Sequence, residues 1–178
     1  MIKEKIVKTA KSFIGQEEIR GNLGFKDEQF QEMMQAVGWQ KSQAWCAYFA
    51  ELVWKLCYVQ NQQLVQYLNK KFNASAVQTW KNFQNTQFET NKIPDFGALA
   101  VWQRYKEGES TWQGHIGIVS QLHEAQNSFK SIEGNTNDSG SREGYEVAEK
   151  KRTLNFENEN GLRLLGFIHP KEIDNDES

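Results

Sequence analysis

The sequence predicts one α+β domain, with N-terminal helices packed on a C-terminal antiparallel sheet of about five strands. Three observations predict it. Apolar residues recur at helical spacing through the first half of the chain. After Pro94 the pattern changes to short runs rich in β-branched and aromatic residues, separated by Gly, Asn, Ser and Glu. Neither an internal repeat nor a linker divides the chain, so both halves belong to one core.

The elements follow in order. Ile2, Ile6, Val7, Ala10, Phe13 and Ile14 trace one face of a helix that stops at Gly15. "KDEQFQEMMQAVG" repeats the pattern with Phe30, Met33, Met34 and Val37, ending at Gly38. Ser42 is the expected N-cap of a third helix from Ala44 to Cys57, residues 61–70 add a short helix, and Asn73 is the expected cap of the helix in "NASAVQTWKNF". "FGALAVWQ", "HIGIVSQLH", "SFKSIEGNT", "GYEVAEKKRTL" and "GLRLLGFIHP" are the five expected strands. "EAQN" reads as a hairpin connection and "NDSGSRE" as a longer polar loop. The domain is expected to span residues 1–170, with an acidic tail over 171–178.

Composition restricts what this domain can do. A chain of 178 residues is one ordinary domain, and folding removes about 70% of its extended surface from water. The mean hydropathy of -0.73 reflects abundant Asn, Gln, Lys and Glu. It does not reflect a missing core, since the chain carries six Trp, eleven Phe and five Tyr. Its 21 basic and 23 acidic residues are interspersed, so no basic field draws nucleic acid. No apolar run approaches the roughly 18 residues of a membrane span. Lysines at positions 3, 5, 8 and 11 interrupt the apolar stretch that an export signal needs, so synthesis in the cytoplasm is expected. Cys46 and Cys57 fall in one predicted helix, roughly 16 Å apart, which predicts two free thiols.

The stretch "QAWCAYFAELVW" puts Cys46 at the first turn of that helix. There the unpaired N–H groups favour a thiolate, whereas Cys57 sits at the opposite end of the dipole. Two readings stay open at this point, a nucleophile or a small buried hydrophobe. A thiolate needs a base, and the chain has three histidines. His169 beside Pro170 reads as surface or packing, and His123 lies by a hairpin turn. His115 opens the predicted strand "HIGIVS" behind Gly114. In "SIEGNT", period two places Ser131, Glu133 and Asn135 on one strand face. A carboxylate and an amide there can accept from an imidazole and fix its tautomer. A solvated strand face is the alternative reading of the same residues.

"WCAYF" on a helix, "PDFGALAVW", "GHIGIV", "IEGNT" and "GFIHP" together resemble, in order and approximate spacing, a CHAP domain, the cysteine, histidine-dependent amidohydrolase/peptidase of the papain-like superfamily. The resemblance covers nearly the whole chain, from the first helix to Pro170. It implies a papain-like α+β fold and cleavage of an amide bond in peptidoglycan. It also implies Cys46 as nucleophile, His115 as general base and then acid, Glu133 as the group that orients the ring, and Asn135 as a supporting polar group. "GNTNDSGSREGYEVAEKKR" further resembles single-domain CHAP proteins found in phage endolysins and related cell-wall lytic enzymes. Ala98 departs from the family's pattern, where many relatives carry Asp after the glycine. Some relatives bind calcium through clustered aspartates, whereas here Asp27, Glu28 and Glu32 are scattered, so no metal or cofactor is expected.

On this resemblance the backbone N–H of Cys46 is the first oxyanion donor, with the Gln40 and Gln43 side chains as further candidates. Trp45, Trp102 and Trp112 are candidate walls of a groove for a glycan or stem peptide. The expected partner is peptidoglycan, met at the wall or periplasm after release or delivery, by a monomer. An N-acetylmuramoyl-L-alanine amidase and a peptidoglycan endopeptidase fit equally. The alternatives are a thiol amidase or acyltransferase on a small non-wall amide, and a catalytically silent domain that binds wall fragments or a protein.

Overall fold

The structure is a computed structural model and describes residues 1–123, 125, 127–136 and 144–173. The chain runs through α1 (Ile2–Ser12), β1 (Glu18–Ile19), β2 (Gly24–Phe25), α2 (Glu28–Ala36), α3 (Cys46–Cys57), α4 (Gln62–Lys71) and α5 (Ala76–Phe83). It then forms β3 (Thr90–Asn91), β4 (Leu99–Lys106), β5 (Glu109–His123), β6 (Ser128–Thr136), β7 (Glu146–Thr153) and β8 (Gly161–Ile168). β1 and β2 pair with each other. The other six make one antiparallel sheet in the order β3-β8-β4-β5-β6-β7. The α+β class is as the sequence predicts, with more strands. β3 has only two residues and is held by pairing Thr90 with Ile168 and Asn91 with Phe167, so it leaves no periodic pattern to read.

α3 is the centre of the fold because its sequence is apolar on nearly every face. Ala47, Phe49, Ala50, Leu52, Val53, Trp54 and Cys57 are all buried, and α1, α2, α4, α5, β5 and β6 pack around it. Phe25, Phe30 and Phe49 surround Trp45 at its start. Phe72, Phe83 and Phe88 surround Trp54 farther along the helix. Such an aromatic shell fixes both the axial position and the rotation of the helix.

Two helix starts differ from the sequence reading. α3 begins at Cys46 with Trp45 at the N-cap, whereas Ser42 has φ 71° and donates its N–H to the Asn22 carbonyl at 2.7 Å. Burial of the Trp45 ring outweighs the capping preference of the serine. α5 is capped by Ser75, whose side chain accepts from the Gln78 N–H. Asn73 instead closes a turn by accepting from the Ser75 N–H at 2.9 Å.

The sheet is apolar on both faces. Leu99, Val101, Ile116, Ile118, Ile132, Val147 and Ile168 face the helices. Ala98, Ala100, Trp102, Val119, Phe129, Leu164 and Phe167 form a second core, covered by Leu154, Phe156 and Leu162 as the chain returns from β7 to β8. β5 is longer than its hydrophobic run. It starts at Glu109, so His115 lies in mid-strand instead of opening it. The polar half, "ESTWQG", escapes a hydrophobic reading because most of it is exposed on the β4–β5 hairpin.

Residues Lys171 to Ile173 are anchored. Tyr58 Oη donates to the Lys171 carbonyl at 2.7 Å, the Ile2 N–H donates to the Glu172 carboxylate at 2.8 Å, and Ile173 packs on the core. Residues 174–178, Glu124 and Gln126 of the expected hairpin connection, and the polar loop 137–143 lie outside the described residues. No helix among the described residues is long and apolar enough to cross a membrane.

Candidate active site

Cys46 is the first residue of α3, and no side chain caps that end: Trp45 makes no capping bond and the first turn holds no acid. The first-turn N–H groups are therefore left to an anion or to water. Cys46 is 6% exposed, enough shielding to keep bulk water from a reacting sulfur.

The other groups come from the sheet. His115 lies opposite Trp102 of β4, and Glu133 opposite Ala148 of β7. Two glycines bring them together. A Cβ on Gly117 would lie 2.6 Å from Glu133 Cγ, so its absence lets the carboxylate reach across β5 to the imidazole. A Cβ on Gly134 would lie 2.6 Å from the Trp45 ring, so this bare backbone lets β6 press against the start of α3.

Glu133 is fully buried and its two oxygens accept from four donors. Oε2 is 2.8 Å from His115 Nε2 and also takes an N–H of the Arg152 guanidinium. Oε1 accepts from Ser131 Oγ at 2.5 Å and Arg152 Nε at 2.7 Å. Since Glu133 occupies Nε2, Nδ1 is the ring nitrogen left for the thiol. The Trp102 ring lies 5.9 Å from the imidazole and 5.3 Å from the guanidinium.

Burial pushes the His115 pKa down, but the Glu133 charge and hydrogen bonding to Cys46 and Glu133 outweigh it and raise the ring to about 9. Burial likewise raises Glu133. The charge of His115 and the hydrogen bonds from Arg152 and His115 nevertheless hold its carboxyl well below the usual range. The ring therefore keeps its proton at neutral pH and the carboxylate keeps its charge. Such a set can hold a nucleophilic sulfur beside a proton donor.

The structure thus brings Cys46, His115 and Glu133 into one chain of contacts. Asn135 follows less simply, because it has φ 54° and the β6–β7 register slips between Glu133 and Thr136. This bulge ends the period-two alternation on which its shared face was predicted. Gln43 lies in the turn before α3, where its Oε1 accepts from the Gln40 N–H at 3.1 Å and Tyr48 Oη at 2.9 Å. That orientation leaves its amide N–H groups as donors.

Two expected groove residues are corrected. Trp45 is fully buried and donates Nε1–H to Glu18 at 2.7 Å, and Trp102 is buried against Phe129, so both are core. Trp112 is 82% exposed on the hairpin three residues before His115. Cys46 and Cys57 are both free, as predicted, and burial raises the Cys57 thiol. His169 binds Asn91 Oδ1 at 2.9 Å and ties β8 to β3.

Arg152 was not foreseen. Alternation in "EVAEKKRTL" puts Ala148, Lys150 and Arg152 on one face, but only the β6–β7 register, which pairs Phe129 with Arg152, brings the guanidinium back over Glu133. Among the described residues no group of three or more His, Cys, Asp or Glu is placed to hold a metal ion.

The CHAP domain family model matches residues 38–135, a span that contains Cys46, His115, Glu133 and Asn135 and ends before Arg152. No curated protein and no solved structure gives a significant match.

Proposed function

Because this chain belongs to the CHAP domain family, whose activity is of the amidase or peptidase type and commonly on peptidoglycan, we propose that it cleaves an amide bond of peptidoglycan with Cys46 as nucleophile. The observation that carries this reading is the His115 ring held between Cys46 and the buried Glu133 carboxylate.

The thiolate sulfur attacks the scissile carbonyl carbon and forms a tetrahedral oxyanion. The Cys46 N–H and the Gln43 amide are the donors for that oxygen. His115 then passes its Nδ1 proton to the departing amine as the C–N bond breaks, leaving a thioester on Cys46. Water attacks the thioester while the now neutral ring takes its proton, and the C–S bond breaks to release the acid. Glu133 keeps the ring's tautomer and orientation through both halves, and Asn135 supports the end of the same strand. Trp112, three residues from His115 along β5, offers an exposed ring for the glycan or stem peptide. The place of action on this reading is the cell wall.

The test is digestion of purified peptidoglycan by the wild type and by Cys46→Ala, with mass spectrometry of the soluble products. Free stem peptides and bare glycan from the wild type alone identify an amidase, and cut stems or cross-bridges identify an endopeptidase. Equal release by both proteins, or none by either, overturns the proposal.

A further inference from the structure

Resting on the hydrolase reading above, we propose that Arg152 is a positioning residue of the reaction: its guanidinium locks the Glu133 carboxylate against His115 and shares its charge, keeping the ring oriented and its proton transferable. The geometry has two parts. Nε and a terminal N–H of Arg152 go to different oxygens of Glu133, a forked contact that fixes the plane of the carboxylate. With Ser131 on Oε1, the direction in which Oε2 meets His115 Nε2 has no freedom left.

The second part is charge. Among the described residues, the charged or titratable groups in contact with this ring system include Cys46 from α3, Glu133 from β6 and, behind it, Arg152 from β7. β4 adds the uncharged Trp102 ring, packed against both His115 and Arg152. A carboxylate serving the imidazolium alone would stabilise the ring's charge more strongly and make it a poorer acid toward the leaving amine. Arg152 draws on the same carboxylate and limits that effect. Its side chain is 25% exposed against none for Glu133, so it also stands between the carboxylate and solvent.

The experiment compares the full-length wild type with Arg152→Gln, Arg152→Lys and Glu133→Gln. The titration midpoint of His115 is read by NMR, and kcat and KM are read on soluble peptidoglycan fragments. The chain has three histidines, so loss of one signal in His115→Gln assigns the ring. Arg152→Gln is expected to raise the midpoint above wild type, opposite to Glu133→Gln, which lowers it. Arg152→Lys keeps the charge and with it the midpoint. Both Arg152 variants lose the fork, and kcat falls about tenfold to a hundredfold with little change in KM. An unchanged or lowered midpoint in Arg152→Gln overturns the proposal, because a role in stability alone does not move it upward. If Arg152→Gln does not fold, wild-type kcat in Arg152→Lys overturns it instead. The titration needs no substrate. A wild type that leaves peptidoglycan intact therefore refutes the hydrolase reading while the Arg152–Glu133–His115 coupling is still judged by its midpoints.

Discussion

Replacing Glu133 by Gln keeps the shape of the side chain and removes its charge. The amide can accept on one atom only and turns its NH2 toward donors that now have no acceptor, among them Arg152 and the Nε2 side of His115. Breaking a buried ion pair costs about 3–5 kcal/mol, and the partial exposure of Arg152 places this site at the low end. A loss of about 3 kcal/mol corresponds to a fall in Tm of about 6–12 °C for a domain of this size.

The pH dependence is more specific. The His115 pKa is raised from 6.5 to about 9, so its stabilising contribution is complete below 6.5 and is lost as pH rises through about 9. Glu133 is lowered from 4.5, so its contribution is present above 4.5 and lost as pH falls through its depressed folded value. The stability gap between wild type and Glu133→Gln is therefore widest between 4.5 and 6.5 and narrows on going to pH 10. Urea denaturation at pH 6 and pH 10 measures it. In parallel, on the proposed mechanism, the alkaline fall of kcat is expected near 9 in the wild type, from His115, and moves toward 6.5 in the variant. An equal gap at both pH values, together with an unmoved alkaline limb, would refute the reasoning.

Gly117→Ala puts a methyl 2.6 Å from Glu133 Cγ and 3.2 Å from Ser131 Cβ; thermal unfolding should show a loss of about 1–3 kcal/mol, and activity should fall with the displaced carboxylate. Gln43→Ala should lower kcat by about a hundredfold or more if its amide binds the oxyanion, whereas Tyr48→Phe, which removes one of the two donors that orient it, should cost less; steady-state kinetics ranks the two. Limiting iodoacetamide near neutral pH should add one label, at Cys46, because burial raises the Cys57 thiol; intact-mass analysis of the wild type and Cys46→Ala checks it, and equal labelling of both proteins contradicts it.

How much of this was legible follows from which signals are local. The thiol at the first turn of α3, the apolar runs of the strands and the alternation through Ser131 and Glu133 are patterns within a few residues, and they survive in the structure. The cap of α3 was not legible, because Trp45 is placed by Phe25 and Phe30, brought from β2 and α2, and by Glu18 from β1. The length of β5 was not legible, because its first half pairs with β4 as an exposed hairpin without a buried face. Asn135 was assigned to a face by a rule that a bulge breaks locally, and nothing in "EGNT" says where the bulge falls.

Arg152 was hidden for a deeper reason, and the same reason explains why Glu133 can be a carboxylate at all. A neutral side chain facing His115 needs no counter-charge, but a fully buried carboxylate must be neutralised and have its lone pairs filled. His115 supplies one charge, and it gives that proton up in each catalytic cycle on the proposed mechanism. Between transfer and recovery Glu133 would stand as an unpaired buried anion unless a second cation stayed with it. Arg152 stays charged throughout, and it reaches Glu133 only through the β6–β7 register. The identity of residue 133 therefore depends on a residue on the next strand, beyond the span that the family model matches.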